Sequence, residues 1–335
     1  MLFRSLPMDQ YAEKGLLKDL TGLFDEINML PGLKKAMQTA NGQIYAMPAQ
    51  FAIDLLWGNQ DLIAQVTSLA DLAQAQLENG KVPFSPRSAQ DWLKLLFPAN
   101  MPALRDASGI VQFNNEQFAT LLTTLQSLYE KQGEMPLDTL VEGAAMQTEI
   151  LSMLNGASAF MVSRFDNTMS ASISYTVSGA ETADCAPMPT LDGQSKGLIP
   201  SLMMGISAQS ENQELAQAFI ALVLSEEIQV AEGDGLPALS KVLDVLFEEA
   251  IEMSKNENMR AMLSFGGTPI EMKQADERIL NHIRELINLA DERIVEDQTL
   301  IGFITEESAG FFENGGDAMA VADAVQQRAW SYLNE

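Results

Sequence analysis

The stretch NGQIYAMPAQFAIDLLWGNQDLI, Asn41 to Ile63, constrains the architecture more than any other part of the chain. Asn41-Gly42 is a turn signal, and Gln43 to Met47 and Ala52 to Trp57 read as strand segments on either side of Pro48. Proline has no N–H to give a central ladder, so an apolar strand pattern that stops at proline and resumes suggests a chain leaving one lobe for another. A length of 335 residues points the same way, because single cores rarely grow that large. Ala49 to Asp54 is the expected crossing, and Leu55 to Asn59 the start of the second lobe.

Composition narrows the function. Hydrophobic residues make up 47% of the chain, enough for sizeable cores. The net charge of −26 repels phosphate backbones, so no nucleic-acid partner is expected. A single cysteine, Cys185, rules out an intramolecular disulfide and a multi-cysteine zinc site. The single histidine, His282, lies in ERILNHIREL, a run with helical spacing, and reads as structural. Glu248-Glu249 and Glu306-Glu307 read as solvated helix faces, not paired catalytic acids. The nineteen methionines are spread along the chain and read as core filler. No catalytic group, metal or cofactor is expected. No run is long enough to span a membrane, and MLFRSLPMDQYAEKG lacks the apolar length and cleavage site of an export signal.

Strands alternate with helices over the first two thirds. MLF opens as a strand, and Gln60 to Leu77 reads as a helix. Ser88 can cap a helix from Ala89 to Phe97, and Asn114 or Asn115 one that runs to Lys131. Ala157 to Val162, Ser172 to Val177 and Leu202 to Ser207 read as strands, and Ser210 with Gln213 as a capping box. From about Ser240 to Glu335 the pattern is mostly helical. Trp92 and Trp330 read as helix-packing residues, and Trp57 as packing beneath the crossing. The sum is an α/β chain with a helix-rich C-terminus.

Four blocks in order resemble one family. GLLKDLTGLFD with NGQIYAMPAQFAIDLLWGNQDLI is similar to the strand, Tyr-x-x-Pro, strand, Asn block of carbohydrate ABC-transporter solute-binding proteins, the maltose-binding-protein-like class. ILSMLNGASAFMVSRFDN resembles that family's helix, apolar strand and cleft loop. APMPTLDGQSKGLIPSLMMGISAQSENQELAQAFIALVLSEEIQ resembles its hinge proline, turn, strand and capped helix. IGFITEESAGFFENGGDAMAVADAVQQRAWSYLNE resembles its terminal helices.

The resemblance implies a two-lobed, periplasmic-binding-protein-like class II fold. Lobe 1 would comprise residues 1–52 and 190–237, and lobe 2 residues 53–189 and 238–335. It also implies that the family's opening strand, helix and second strand are missing before Met1, leaving lobe 1 truncated. Ligands of such folds bind in the cleft between lobes, outside the carboxyl ends of strands. Arg4 and Ser5 would then follow the first strand, with Gln50 and Phe51 at the crossing. Arg87 and Ser88 would precede the Trp92 helix. Arg164, Phe165, Asp166 and Asn167 would follow the strand AFMV, and Pro200 and Ser201 would precede LMMG. Pro48, Ala52, Pro187, Pro189 and Pro237 are the hinge candidates.

The implied function is capture of a sugar or short oligosaccharide and delivery to ABC-transporter permease subunits by an extracellular or periplasmic monomer, a lipoprotein in its full-length form. Arginines at the predicted cleft ends extend the expectation to charged sugars. Other readings are a non-transport surface or sensor module, a binder of another small solute, and a carboxylate-dependent glycosidase. The last would need two facing buried acids, and no such pair stands out.

Overall fold

The computed structural model describes residues 2–3, 8–77, 80–106, 111–132, 144–230, 235–256, 261–265 and 268–334. Arg4 and Ser5, two of the expected site residues, lie outside them. The strands are β1 (Leu2–Phe3), β2 (Ala46–Asn59), β3 (Phe160–Phe165), β4 (Ala183–Pro187), β5 (Pro189–Thr190) and β6 (Gly193–Gln194). They continue with β7 (Gly197–Gly205), β8 (Leu236–Pro237), β9 (Ala261–Phe265), β10 (Thr268–Met272) and β11 (Glu292–Arg293).

β2 is the spine of a seven-stranded sheet, and it runs unbroken for 14 residues. This corrects the expectation of two segments divided at Pro48. Pro48 sits in register with Met203 of β7, while β8, the second neighbour of β2 here among the described residues, begins only opposite Gln50. A missing N–H is tolerated where a strand has one neighbour only.

What does change along β2 is its company. Ala46 to Ala52 pair antiparallel with β7, and Gln50 and Phe51 also with β8. Ile53 to Gly58 pair with β3, and Leu55 to Asn59 with β4. The exchange of partners falls between Ala52 and Ile53. β1 and β11 both pair with β7, the first antiparallel and the second parallel.

Strand alternation then sorts β2 between two cores. Ala49, Phe51, Ile53, Leu55 and Trp57 face a core shared with Phe165, Cys185 and Phe247. Leu56 faces a second core, with Phe160, Ala186, Trp92 and Phe118. The second core is closed by the helices Ala89–Asn100, Glu116–Lys131, Gln298–Asn314 and Ala318–Asn334. Fully buried aromatic side chains such as Trp57, Trp92 and Phe51 each contribute about 1.5–3 kcal/mol by leaving water. Trp330, expected to pack, is instead more than half exposed.

The helices Ser240–Ser254 and Glu277–Leu289 pack into the first core, through Phe247 and through Ile279, Ile283 and Ile287. The second of them spans from β4 to the helix Pro31–Ala36. Its end passes so close that a Cβ at Gly32 would lie 2.0 Å from the Ala290 carbonyl oxygen. Glycine is therefore required at that contact. Lys35 pairs with Asp291 beside it.

Several local expectations are corrected. Ser172 to Val177 is helical, within Thr168–Val177. Its alternating pattern arises because the hydroxyls of Ser172 and Thr176 donate to carbonyls one turn back, so polar residues can face inward. Gln60 to Leu77 divides into Gln60–Ile63 and Leu69–Gln74, because the Ser68 side chain caps a new helix by accepting from Asp71 N. Asn212 stands at the N-cap where Ser210 was expected. The helix-rich C-terminus also contains a hairpin, β9 with β10. Ser88 and Asn115 do cap their helices, accepting from Asp91 N and Phe118 N.

Candidate functional site at the strand exchange

At the exchange of partners, the even-numbered face of β2 carries Gln50, Ala52 and Asp54, while Phe51 and Ile53 turn into the first core. Residues directly opposed in an antiparallel pair share a face. The register therefore sets Ser201 beside Gln50, Ile199 beside Ala52 and Arg164 beside Asp54. Gln50 and Ser201 are half-buried. Gly235 approaches Gln50 so closely that a Cβ there would meet the Gln50 Cβ at 2.9 Å.

Asp54 and Arg164 form a two-pronged ion pair, with Nε to Oδ1 at 2.9 Å and Nη2 to Oδ2 at 3.1 Å. Arg164 Nη2 also donates to Glu296 Oε1 at 2.6 Å. Glu296 arrives from a distant part of the chain, just past β11, where Ile294 N donates to Leu198 O. The three side chains remain 25–40% exposed. Burial works against the Arg164 charge, but the bonds and charges of Asp54, and then Glu296, overcome it and hold its pKa above the ordinary value. One guanidinium against two carboxylates leaves the cluster net negative. Its polar atoms face water, so they can exchange partners with a hydroxyl-rich or cationic ligand.

The other expected site residues are used differently. Arg164 and Phe165 belong to β3 itself, not to a loop after it. Phe51 is fully buried, and Phe165 is buried against Phe247 with ring centroids 5.9 Å apart. Neither presents a ring to a ligand, because odd positions of β2 and their partners point into the core. Arg87 Nη2 donates to Glu149 Oε1 at 2.9 Å, both side chains being 13% exposed. Its guanidinium lies over Phe84 and Trp92, 5.3 and 5.2 Å from the ring centroids. Gln132 closes this unit by accepting from Arg87 N and Trp92 Nε1.

Ser88 is used as a helix cap. Asn167 caps Thr168–Val177 by accepting from Ser170 N, and its Nδ2 donates to Asp166 Oδ1. Pro200 stands opposite Phe51, and Pro237 opposite Gln50. Pro187 ends β4, and Pro189 opens the β5–β6 hairpin between β4 and β7. A separate open depression of about 560 Å³, lined by Arg105, Asp106, Gln112 and Glu116 among others, lies away from the exchange. Asp54 and Glu296 were not among the expected ligand residues. The parity of β2 carries a signal for Asp54, two places from Gln50 on the same face; nothing local marks Glu296.

A family model described as bacterial extracellular solute-binding protein matches residues 7–230. No curated protein matches the chain. Among solved structures, the GacH receptor of Streptomyces glaucescens, described unliganded and with acarbose, is 18% identical with a TM-score of 0.59. That match covers 98% of this chain and 81% of the receptor. The sugar-binding protein MalE of Xanthomonas citri is 14% identical, with a TM-score of 0.63 over 97% of this chain and 81% of its own. The bacterial solute receptor AcbH, described as preferring β-D-galactopyranose, is 11% identical, with a TM-score of 0.64 over 99% and 82%. At these identities the likeness is one of fold, the two-lobed α/β fold of periplasmic binding proteins.

Proposed function

The chain belongs to the bacterial extracellular solute-binding protein family, and from that premise we propose that it captures a neutral or amino-substituted sugar, or a short oligosaccharide, between two lobes. The family binds solutes and does not transform them, so the protein is not an enzyme. The observation that carries the reading is the confinement of polar side chains to one face of β2 where its partners change, with apolar cores on either side. Gln50, Asp54, Arg164, Ser201 and Glu296 supply fixed donors and acceptors there. The solved relatives described with acarbose, as sugar-binding or with galactopyranose support a carbohydrate.

An acidic sugar fits less well than the arginine count suggests. Arg87 and Arg164 are both already paired with carboxylates. Residues 1–52 with 190–237 form lobe 1 in this reading, and 53–189 with 238–335 form lobe 2. Hinge rotation at Ala52, Pro187 to Pro189 and Pro237 closes the cleft, and contacts to both lobes hold it closed. The closed monomer then docks on permease subunits, from a lipoprotein or periplasmic position. No helix of the described residues is long and apolar enough to cross a membrane.

The test is calorimetry of the full chain against neutral, amino and uronic sugars. Binding of neutral or amino sugars, weakened in Asp54→Asn and Arg164→Met, is expected. Failure of every sugar, or binding that both variants leave unchanged, overturns the proposal.

A further inference from the structure

The chain has one cysteine and one histidine, and the fold brings them together from positions 97 residues apart. Cys185 lies in β4 and His282 in the helix Glu277–Leu289 packed against it. Asp184 completes a group of three in which one donor atom from each residue lies within 4.8 Å of the others. The thiol is buried, while Asp184 and His282 are half-buried and give access from solvent.

We infer that Asp184, Cys185 and His282 form a binding site for a zinc-class divalent cation. Thiolate, imidazole and carboxylate together suit zinc and disfavour calcium or magnesium, which take oxygen ligands. Zinc bonds of about 2.0–2.3 Å at tetrahedral angles place donors about 3.3–3.8 Å apart, so the group must draw together to hold the ion. His282 Nε2 sits 3.0 Å from the Cys185 carbonyl oxygen. That oxygen can only accept, so Nε2 carries the proton while this bond stands, and a metal would take Nδ1, or Nε2 once the bond to the carbonyl is given up. The Cys185 S–H releases its proton to solvent as the metal–sulfur bond forms. Three protein ligands leave a fourth position for water.

Asp184 Oδ1 accepts from Cys185 N at 3.0 Å and lies 3.5 Å from Arg278 Nη1. Arg278 Nη2 is anchored on the Ala183 carbonyl, so Asp184 can turn its second oxygen to a cation without the arginine losing that bond. Cys185 is directly opposite Trp57 in the sheet and shares its core face. By the same alternation Asp184, opposite Gly58, starts from the other face of the strand, so the group straddles β4, and a metal held there would staple the helix Glu277–Leu289 to β4. It stands independently of the sugar reading.

The experiment takes the full chain, strips it with a chelator, and titrates it with zinc by calorimetry and with cobalt by absorption spectroscopy. One equivalent of metal, a thiolate-to-cobalt charge-transfer band and a raised melting temperature are expected. Cys185→Ser should abolish the band. His282→Gln and Asp184→Asn should each weaken binding by about 100-fold or more, beyond the cost of losing an outer partner alone. Circular dichroism of the metal-free variants checks folding, and the two milder variants decide the matter if Cys185→Ser does not fold. Absence of the band in the parent chain, or zinc binding unchanged by His282→Gln and Asp184→Asn, overturns the inference and assigns any uptake to surface carboxylates.

Discussion

Arg87 and Arg164 read alike in the chain, each an arginine at the end of an expected cleft segment, yet the fold treats them differently. Arg87 is sealed under Phe84 and Trp92 with Glu149 as its partner. Arg164 stands at the strand exchange, held by Asp54 and Glu296 and reached by water. Both are ion pairs, but only the second keeps polar atoms where a solute could meet them. Water access, rather than residue type, separates a structural arginine from a recognition candidate.

The contrast can be broken by experiment. Arg87→Met should cost the most, about 3–5 kcal/mol in denaturant unfolding, because Glu149 is left buried without its cation. Sugar affinity of the folded fraction should not change. A loss below about 1 kcal/mol would place Arg87 with the open pairs.

Tyr175 extends the buried class to a second partner. It donates to Asp276 Oδ2 at 2.9 Å, and burial, then this bond and the Asp276 charge, push its pKa up to about 12. The unfolded value is about 10. Its contribution is thus complete below about pH 10 and is lost as pH rises toward 12 and beyond. Alkaline unfolding of Tyr175→Phe should lack that decline; an unchanged pH profile would refute the assignment.

Arg164→Met should do the reverse of Arg87→Met. Open pairs are worth about 0–1 kcal/mol, so stability should barely move, while affinity for the bound sugar falls about tenfold or more. Equal losses of stability in the two arginine variants would erase the distinction. Asn167→Ala should give the smallest effect, about 1 kcal/mol of stability through the lost cap, with sugar affinity intact. A selective loss of affinity would return Asn167 to the binding surface.

Much of the α/β pattern was legible because it rests on local rules. Ser88 and Asn115 cap helices as their side-chain chemistry predicts. The Ser172–Val177 segment misled because hydroxyls bonded to the backbone let a helix imitate strand alternation. Pro48 misled because the cost of a proline in a strand depends on whether a second neighbour is present. Phe51 and Phe165 looked available until strand parity turned them into the core. Asp54 was within reach of the same parity, but Glu296 was not, since it meets Arg164 across 132 residues of chain.

By itself the sequence determined the α/β alternation, the strongly acidic composition, the helix caps at Ser88 and Asn115 and the place in a solute-binding family. The tertiary structure alone decided that β2 is one strand serving two sets of neighbours, which arginine is sealed and which is open, and that Cys185 and His282 meet. The physical reason is range. Capping, charge balance and apolar alternation are set within a few residues of chain. Burial, ion pairing and metal-donor geometry are set by which distant segments the packed cores bring together.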